Sequence, residues 1–167
     1  MPKVTSGNNL RCYINGEFVG TASEIELPEI EMEMAEYEAL GLYGTPEFPV
    51  GIQAMEATIT WLSFDPQWAA AAADFTTAVN MQFRGVVEEY ETTGRVGEIA
   101  LIVTMRGLFK KNPIGSFSKN EMGEFESEIS PNYIKQIYGG ETILEYDAIA
   151  NIYKVRGRDL LSSLLRV

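Results

Sequence analysis

The feature that most constrains this chain is a two-residue alternation of apolar and polar side chains. In Met55-Glu56-Ala57-Thr58-Ile59-Thr60-Trp61 the odd positions are apolar and the even ones polar. Successive side chains of a strand point to opposite faces, so this spacing predicts a two-faced β-strand. Turn chemistry agrees. Arg11-Cys12-Tyr13-Ile14 and Glu17-Phe18-Val19 flank Asn15-Gly16, a pair that tolerates positive φ at both central residues of a hairpin. Ile25 and Leu27 alternate with Glu24 and Glu26; beyond Pro28 the phase flips, and Ile30, Met32 and Met34 alternate with Glu29, Glu31 and Glu33. This reads as one strand kinked at Pro28 that keeps an acidic face throughout, because proline cannot donate to a ladder.

Further strands are expected over about 81–91, 98–109, 121–129, 133–138 and 142–155, with turns at Thr92-Thr93-Gly94-Arg95 and Gly139-Gly140 and a loop over 110–120. One helix interrupts them. Asp65 suits its N-cap and Pro66 its first position, after which Trp68, Ala72, Phe75 and Val79 fall on one face as core packing. A short leucine-faced helix is expected over 159–167. Residues 35–50 hold two glycines, two prolines and several apolar side chains, and a loop of this length and character points to a partner or a function. Leu40, Leu42, Tyr43 and Phe48 in it are the candidate subunit contact; packing on its own barrel is the bland alternative. The expected fold is mainly β, a β-barrel or two-sheet sandwich of about eight strands with one covering α-helix, in a single domain over 1–167. Its long strands leave edges open to pairing between subunits, so a homo-oligomer follows.

Charge sharpens this. The net charge is −11, yet from Cys12 to Phe83 there is no lysine or arginine, while twelve acids occur there. The remainder carries all 13 basic residues against 12 acids. A chain so divided lacks the basic stripe of a phosphate-gripping protein. It suits a subunit that docks an acidic face on a basic one of its neighbour, and a merely solvated acidic face is the alternative. No stretch reaches the roughly 18 apolar residues of a membrane span, and the start lacks a secretory core, so a soluble protein made in a cytoplasm is expected.

Catalytic chemistry finds no purchase. The chain has no histidine, which excludes Ser-His and Cys-His mechanisms and disfavours a transition-metal site. Its one cysteine, Cys12, reads as a buried small hydrophobe. The ladders Glu29-x-Glu31-x-Glu33 and Glu124-x-Glu126-x-Glu128 have the ordinary repeat of a strand face and not the build of a glycosidase pair or a calcium loop. No phosphate or dinucleotide loop is present. No catalytic residue, metal or cofactor is expected.

The C-terminal third carries a resemblance. Met105-Arg106-Gly107 with Lys110 and Lys111, then Glu126-Ser127-Glu128-Ile129-Ser130, then Leu144-Glu145-Tyr146-Asp147 and Asn151-Ile152-x-Lys154-Val155-x-Gly157-x-Asp159, resemble the major tail tube proteins of contractile-tailed phages. R-type pyocin tubes belong with them, and the type VI secretion tube is similar in fold. The Asn15-Gly16 hairpin, Leu27-Pro28-Glu29-Ile30, Tyr37 and Ala54-Met55-Glu56 follow in the same order, whereas the 35–50 loop departs from the family. The resemblance implies hexameric rings whose subunits join their sheets and stack into a hollow tube. Implied partners are further copies, a tail sheath, a tape-measure protein and baseplate or terminator proteins, with DNA passing without specific binding. The implied place is the virion tail, assembled in the host cytoplasm. An acidic lumen repels phosphate and lets DNA slide; Glu56, Thr58, Thr60, Glu124, Glu126 and Glu128 are the candidate lumen-facing residues. The alternatives are the tube of a genome-free machine (a bacteriocin or secretion system), a small β-barrel binding a sugar or apolar ligand, and, last, a carboxylate hydrolase.

Overall fold

The computed structural model describes residues 3–19, 22–115, 117–121 and 123–162. The elements are β1 (Val4–Ile14), β2 (Glu17–Val19), β3 (Ala22–Glu26), β4 (Met32–Glu36), β5 (Glu47–Ile52), β6 (Ala57–Trp61), α1 (Pro66–Ala73), β7 (Val79–Glu91), β8 (Gly94–Lys111), β9 (Phe125–Tyr138), β10 (Glu141–Asp147), β11 (Ile152–Val155) and β12 (Arg158–Asp159). Local chemistry sets the tight turns. Asn15 and Gly16 take φ of 49° and 86°, and Gly139 and Gly140 take 60° and 81°, so each pair closes a two-residue hairpin.

The main sheet runs β12-β11-β10-β9-β8-β7-β1-β2, all antiparallel. A branch leaves it at β9, whose first half pairs with β6 from Phe125↔Trp61 to Ile129↔Ala57, and β6 pairs in turn with β3. Curling brings the two parts face to face: Ile59 and Trp61 of β6 share a core with Cys12 and Ile14 of β1 and with Met81 and Phe83 of β7. Between β3 and β1 no ladder forms, and an open cleft of about 420 Å³ lies there, lined among others by Gly7, Leu10, Ala22, Ile25, Val87 and Leu101. The fold is therefore the two-sheet sandwich, not a closed barrel, and twelve described strands replace the expected eight.

The helix closes one end. Asp65 caps it, its Oδ1 accepting from the Gln67 N–H at 2.9 Å, with Pro66 at the first position. Trp68 stacks on Trp61 with ring centroids 5.1 Å apart and 3° between planes, and packs on Phe125. The two indoles are satisfied as well as buried: Trp61 Nε1 donates to Ser127 Oγ at 2.9 Å and Trp68 Nε1 to the Ser63 carbonyl at 3.2 Å. The helix is shorter than its apolar stripe predicts. Asp74 ends it by taking the Thr76 N–H and hydroxyl, so Phe75 lies outside the helix and is exposed, while Val79 is buried as the first residue of β7.

Three strand expectations change. The strand over 24–34 is not one kinked strand: β3 ends before Leu27-Pro28, and β4 belongs to a separate two-stranded ribbon. The stretches 121–129 and 133–138 are one strand, β9, running through Pro131. That proline falls where β9 leaves β6 at Ile129 and takes up β10 at Tyr133, so its missing N–H interrupts neither ladder. Opposite it sits Gly107, where an added Cβ would lie 2.6 Å from Pro131 Cα. The stretch 142–155 is a hairpin, β10 and β11, turned at Asp147, which accepts from the Ile149 and Ala150 N–H groups. Of the expected C-terminal helix, Asp159 is in strand β12 and residues 163–167 lie outside the described residues.

Candidate assembly surfaces

Two surfaces collect what the alternation and the charge anticipate. The first is the outward face of β3, β6 and the first half of β9. Ala57, Ile59 and Trp61 point into the core beside Phe125, Ser127 and Ile129. The residues between them must face out. Register then sets Thr58 opposite Glu128 and Thr60 opposite Glu126 on one side, and Glu26 and Glu24 opposite the same two threonines on the other. Four candidate lumen residues are thus direct neighbours. Glu56 lies just before β6 and Glu124 just before β9, both exposed and each in phase with that face.

Two lysines reach this face, which the linear sequence does not reveal because they arrive on β8. Lys111 Nζ lies 3.2 Å from Glu126 and 3.4 Å from Glu128; Lys110 pairs with Glu56. The hydrogen bond to Glu126, helped by its charge, raises the Lys111 pKa, so that lysine stays charged. Six carboxylates against two lysines leave the face acidic. Glu24 and Glu26 join it only through the pairing of β3 with β6, although their alternation is legible.

The second surface is the ribbon of β4 and β5. Its strands pair only with each other, from Met32↔Ile52 to Glu36↔Glu47, and the segment between them forms the tip. The 35–50 stretch is thus a hairpin arm and not a loop throughout. Every residue from Glu31 to Gly51 is exposed. Leu40 and Tyr43 at the tip show 106% and 110% exposure, and Leu42 and Phe48 are half exposed. The alternative in which this stretch packs on its own body does not hold. Tyr37 and Phe48 touch edge to face at 6.2 Å, which stiffens the arm without covering it. The arm therefore gathers several exposed apolar side chains on one two-stranded element.

Neither surface resembles a reaction centre. Cys12 is 2% exposed, and burial pushes its thiol up to about 12, far from a nucleophile's range. Among the described residues no cluster of acids and cysteine forms a metal site, and no helix is long and apolar enough to cross a membrane.

A mainly-β sandwich with unpaired strand edges and a projecting apolar arm is the build of a self-assembling structural subunit. The comparisons with known proteins say which kind. The chain matches the phage tail tube protein FII family over residues 7–166, and it belongs to that family. It is a structural protein of a tail, not an enzyme. In fold it is similar to a chain of the PVC sheath-tube complex of an extracellular contractile injection system in the extended state, with a TM-score of 0.54 and 10% identity over 77% of this chain and 87% of that one. It is similar also to a chain of the sheath/tube terminator of that system, with a TM-score of 0.54 and 11% identity over 77% of this chain and 92% of that one. No curated protein matches it by sequence.

Proposed function

We propose that this chain is the inner-tube subunit of a contractile injection machine, assembling as hexameric rings that stack into a hollow conduit inside a sheath. The observation that carries the reading is the arm: a ribbon with Leu40, Leu42, Tyr43 and Phe48 exposed, projecting from a sandwich in which one edge of β3 and, beyond the part paired with β2, the Val4–Arg11 stretch of β1 also find no ladder partner among the described residues. A subunit with several uncovered surfaces gains from heterologous contacts, and such contacts grow into rings and filaments. The arm is then the contact to a neighbouring copy. The face bearing Glu56, Thr58, Thr60, Glu124, Glu126 and Glu128 lines the channel, where its acidic excess repels phosphate and lets DNA and a tape-measure protein pass without sticking. Sheath and terminator proteins are the outer and end partners, and the whole is a tail built in the host cytoplasm. The fold likeness to chains of an extracellular contractile injection system suits a genome-bearing tail and a genome-free machine equally.

Negative-stain electron microscopy of the purified protein over a range of concentration and salt tests this. Rings or hollow tubes are the expected result. A monomer that persists even when mixed with baseplate components overturns it.

A further inference from the structure

Opposite residues on adjacent antiparallel strands stand about 4.5–5.5 Å apart at Cβ, and like charges there are destabilising. Two such pairs occur on different parts of this subunit with opposite signs. On the body, Arg11 of β1 faces Arg84 of β7, just past the irregularity between Asn8 and Arg11. On the arm, Glu36 of β4 faces Glu47 of β5. Among the described residues neither is relieved by an opposite charge: no acid pairs with Arg11 or Arg84, and no base pairs with Glu36 or Glu47.

Elsewhere the fold treats such pairs differently. Glu88 stands opposite Glu98, and Arg95 bridges both. Along one face of β9, Glu126 and Glu128 likewise share Lys111. The arginine pair is instead left open and held ready. Arg84 Nε donates to Gln82 Oε1 at 2.7 Å, and its guanidinium lies 4.9 Å from the centre of the Tyr13 ring. A shallow cleft of about 620 Å³ opens beside it, with Leu10 and Val86 as its apolar lining and Glu88 and Glu98, already engaged by Arg95, on its border. On the arm, Met34 shares the face of Glu36, two residues along the strand. From Glu29 through Ile52 there are six acids, Glu29 included, and no base.

We propose that the Glu36–Glu47 pair of one copy docks on the Arg11–Arg84 pair of a neighbouring copy, with Met34 against Leu10 and Val86. This rests on the tube reading and names the receptor of the arm. Both pairs are set by the same cross-strand spacing, so two charge-assisted contacts form together and each repulsion is cancelled by its opposite. Arm and receptor are different surfaces of one chain, so the contact is heterologous and propagates.

Charge swapping tests it. R11E/R84E is expected to reduce the pelletable assembly roughly tenfold or more, because like charges then face each other at every contact. Combining it with E36K/E47K on the same chain is expected to restore assembly. Tubes from R11E/R84E as abundant as from the unaltered protein, or a swapped variant that stays dispersed while folded by circular dichroism, overturn the docking and leave the tube reading intact. A direct trap separates the two failures. Chains carrying Glu36→Cys are mixed at high concentration with chains carrying Arg84→Cys under mild oxidation; Cys12, buried and with a raised thiol pKa, stays out of the exchange. A mixed disulfide dimer well above either self-dimer supports the contact. Its absence overturns the contact, whether or not the unaltered protein forms tubes.

Discussion

The helix-capped end of the sandwich and the β4–β5 arm are built from similar side chains and reach opposite states. At the capped end Trp61 and Trp68 are wholly buried, stacked, and each given a hydrogen-bond partner. On the arm Tyr37, Leu40, Leu42, Tyr43 and Phe48 are exposed, with one ring contact among them. Apolar content does not decide which is core. A second layer does: the capped end has α1 and β9 to pack on, and the arm has only its own two strands. A lone two-stranded hairpin is marginal in water. Among the described residues the arm thus lacks the cover that the capped end finds within its own chain.

The widest test of that contrast is Trp68→Ala. It removes a fully buried indole from the Trp61–Phe125 stack and leaves a cavity beneath α1, so a loss of about 3–5 kcal/mol is expected in denaturant unfolding. A loss below about 1 kcal/mol would mean that this end is not the core of the subunit. A paired glycine test comes next. Gly107 faces the Pro131 backbone at a distance no Cβ accepts, so Gly107→Ala is expected to cost about 1–3 kcal/mol. Gly51 on β5 has only the Glu33 carboxylate within 4 Å of an added Cβ, at 3.9 Å, so Gly51→Ala is expected to be neutral or stabilising by up to about 1 kcal/mol. Equal effects at the two positions would erase the distinction between a packed body and an open arm.

The two regions also differ in how far the sequence reveals them. The capped end is legible because its signals are local: the Asp65-Pro66 start and the Asn15-Gly16 turn follow from the conformational freedom or hydrogen bonding of one or two residues, and the Met55–Trp61 alternation from the strand period itself. The arm is not. Met32 and Met34 alternate with glutamates as a half-buried strand does, and nothing in that pattern says that no layer lies above them. Pairing is equally hidden. Thr58 and Glu128 share the face that alternation assigns to each, but their adjacency comes from β9 changing neighbours at Pro131, a consequence of tertiary register. Lys110 and Lys111 reach the acidic face for the same reason, and no spacing in the chain announces it. Phe75 shows the reverse error: it fits a helical stripe, but Asp74 captures the Thr76 N–H and the helix ends at Ala73.

The smallest expected effect on stability is the most discriminating. L40S/Y43S removes the two most exposed apolar side chains of the tip, and neither is covered by the body. Surface substitutions of this kind change unfolding free energy by no more than about 0.5 kcal/mol, so the isolated subunit is expected to unfold at an unchanged denaturant midpoint. The same protein is expected to form fewer or shorter tubes by electron microscopy, because the apolar patch is lost from the contact and not from the core. A lowered midpoint would show that the arm folds back on the body and contributes to the fold as the Trp61–Trp68 end does. An unchanged midpoint with unchanged tubes would place the apolar tip outside the subunit contact and leave the arm's acidic residues to carry it.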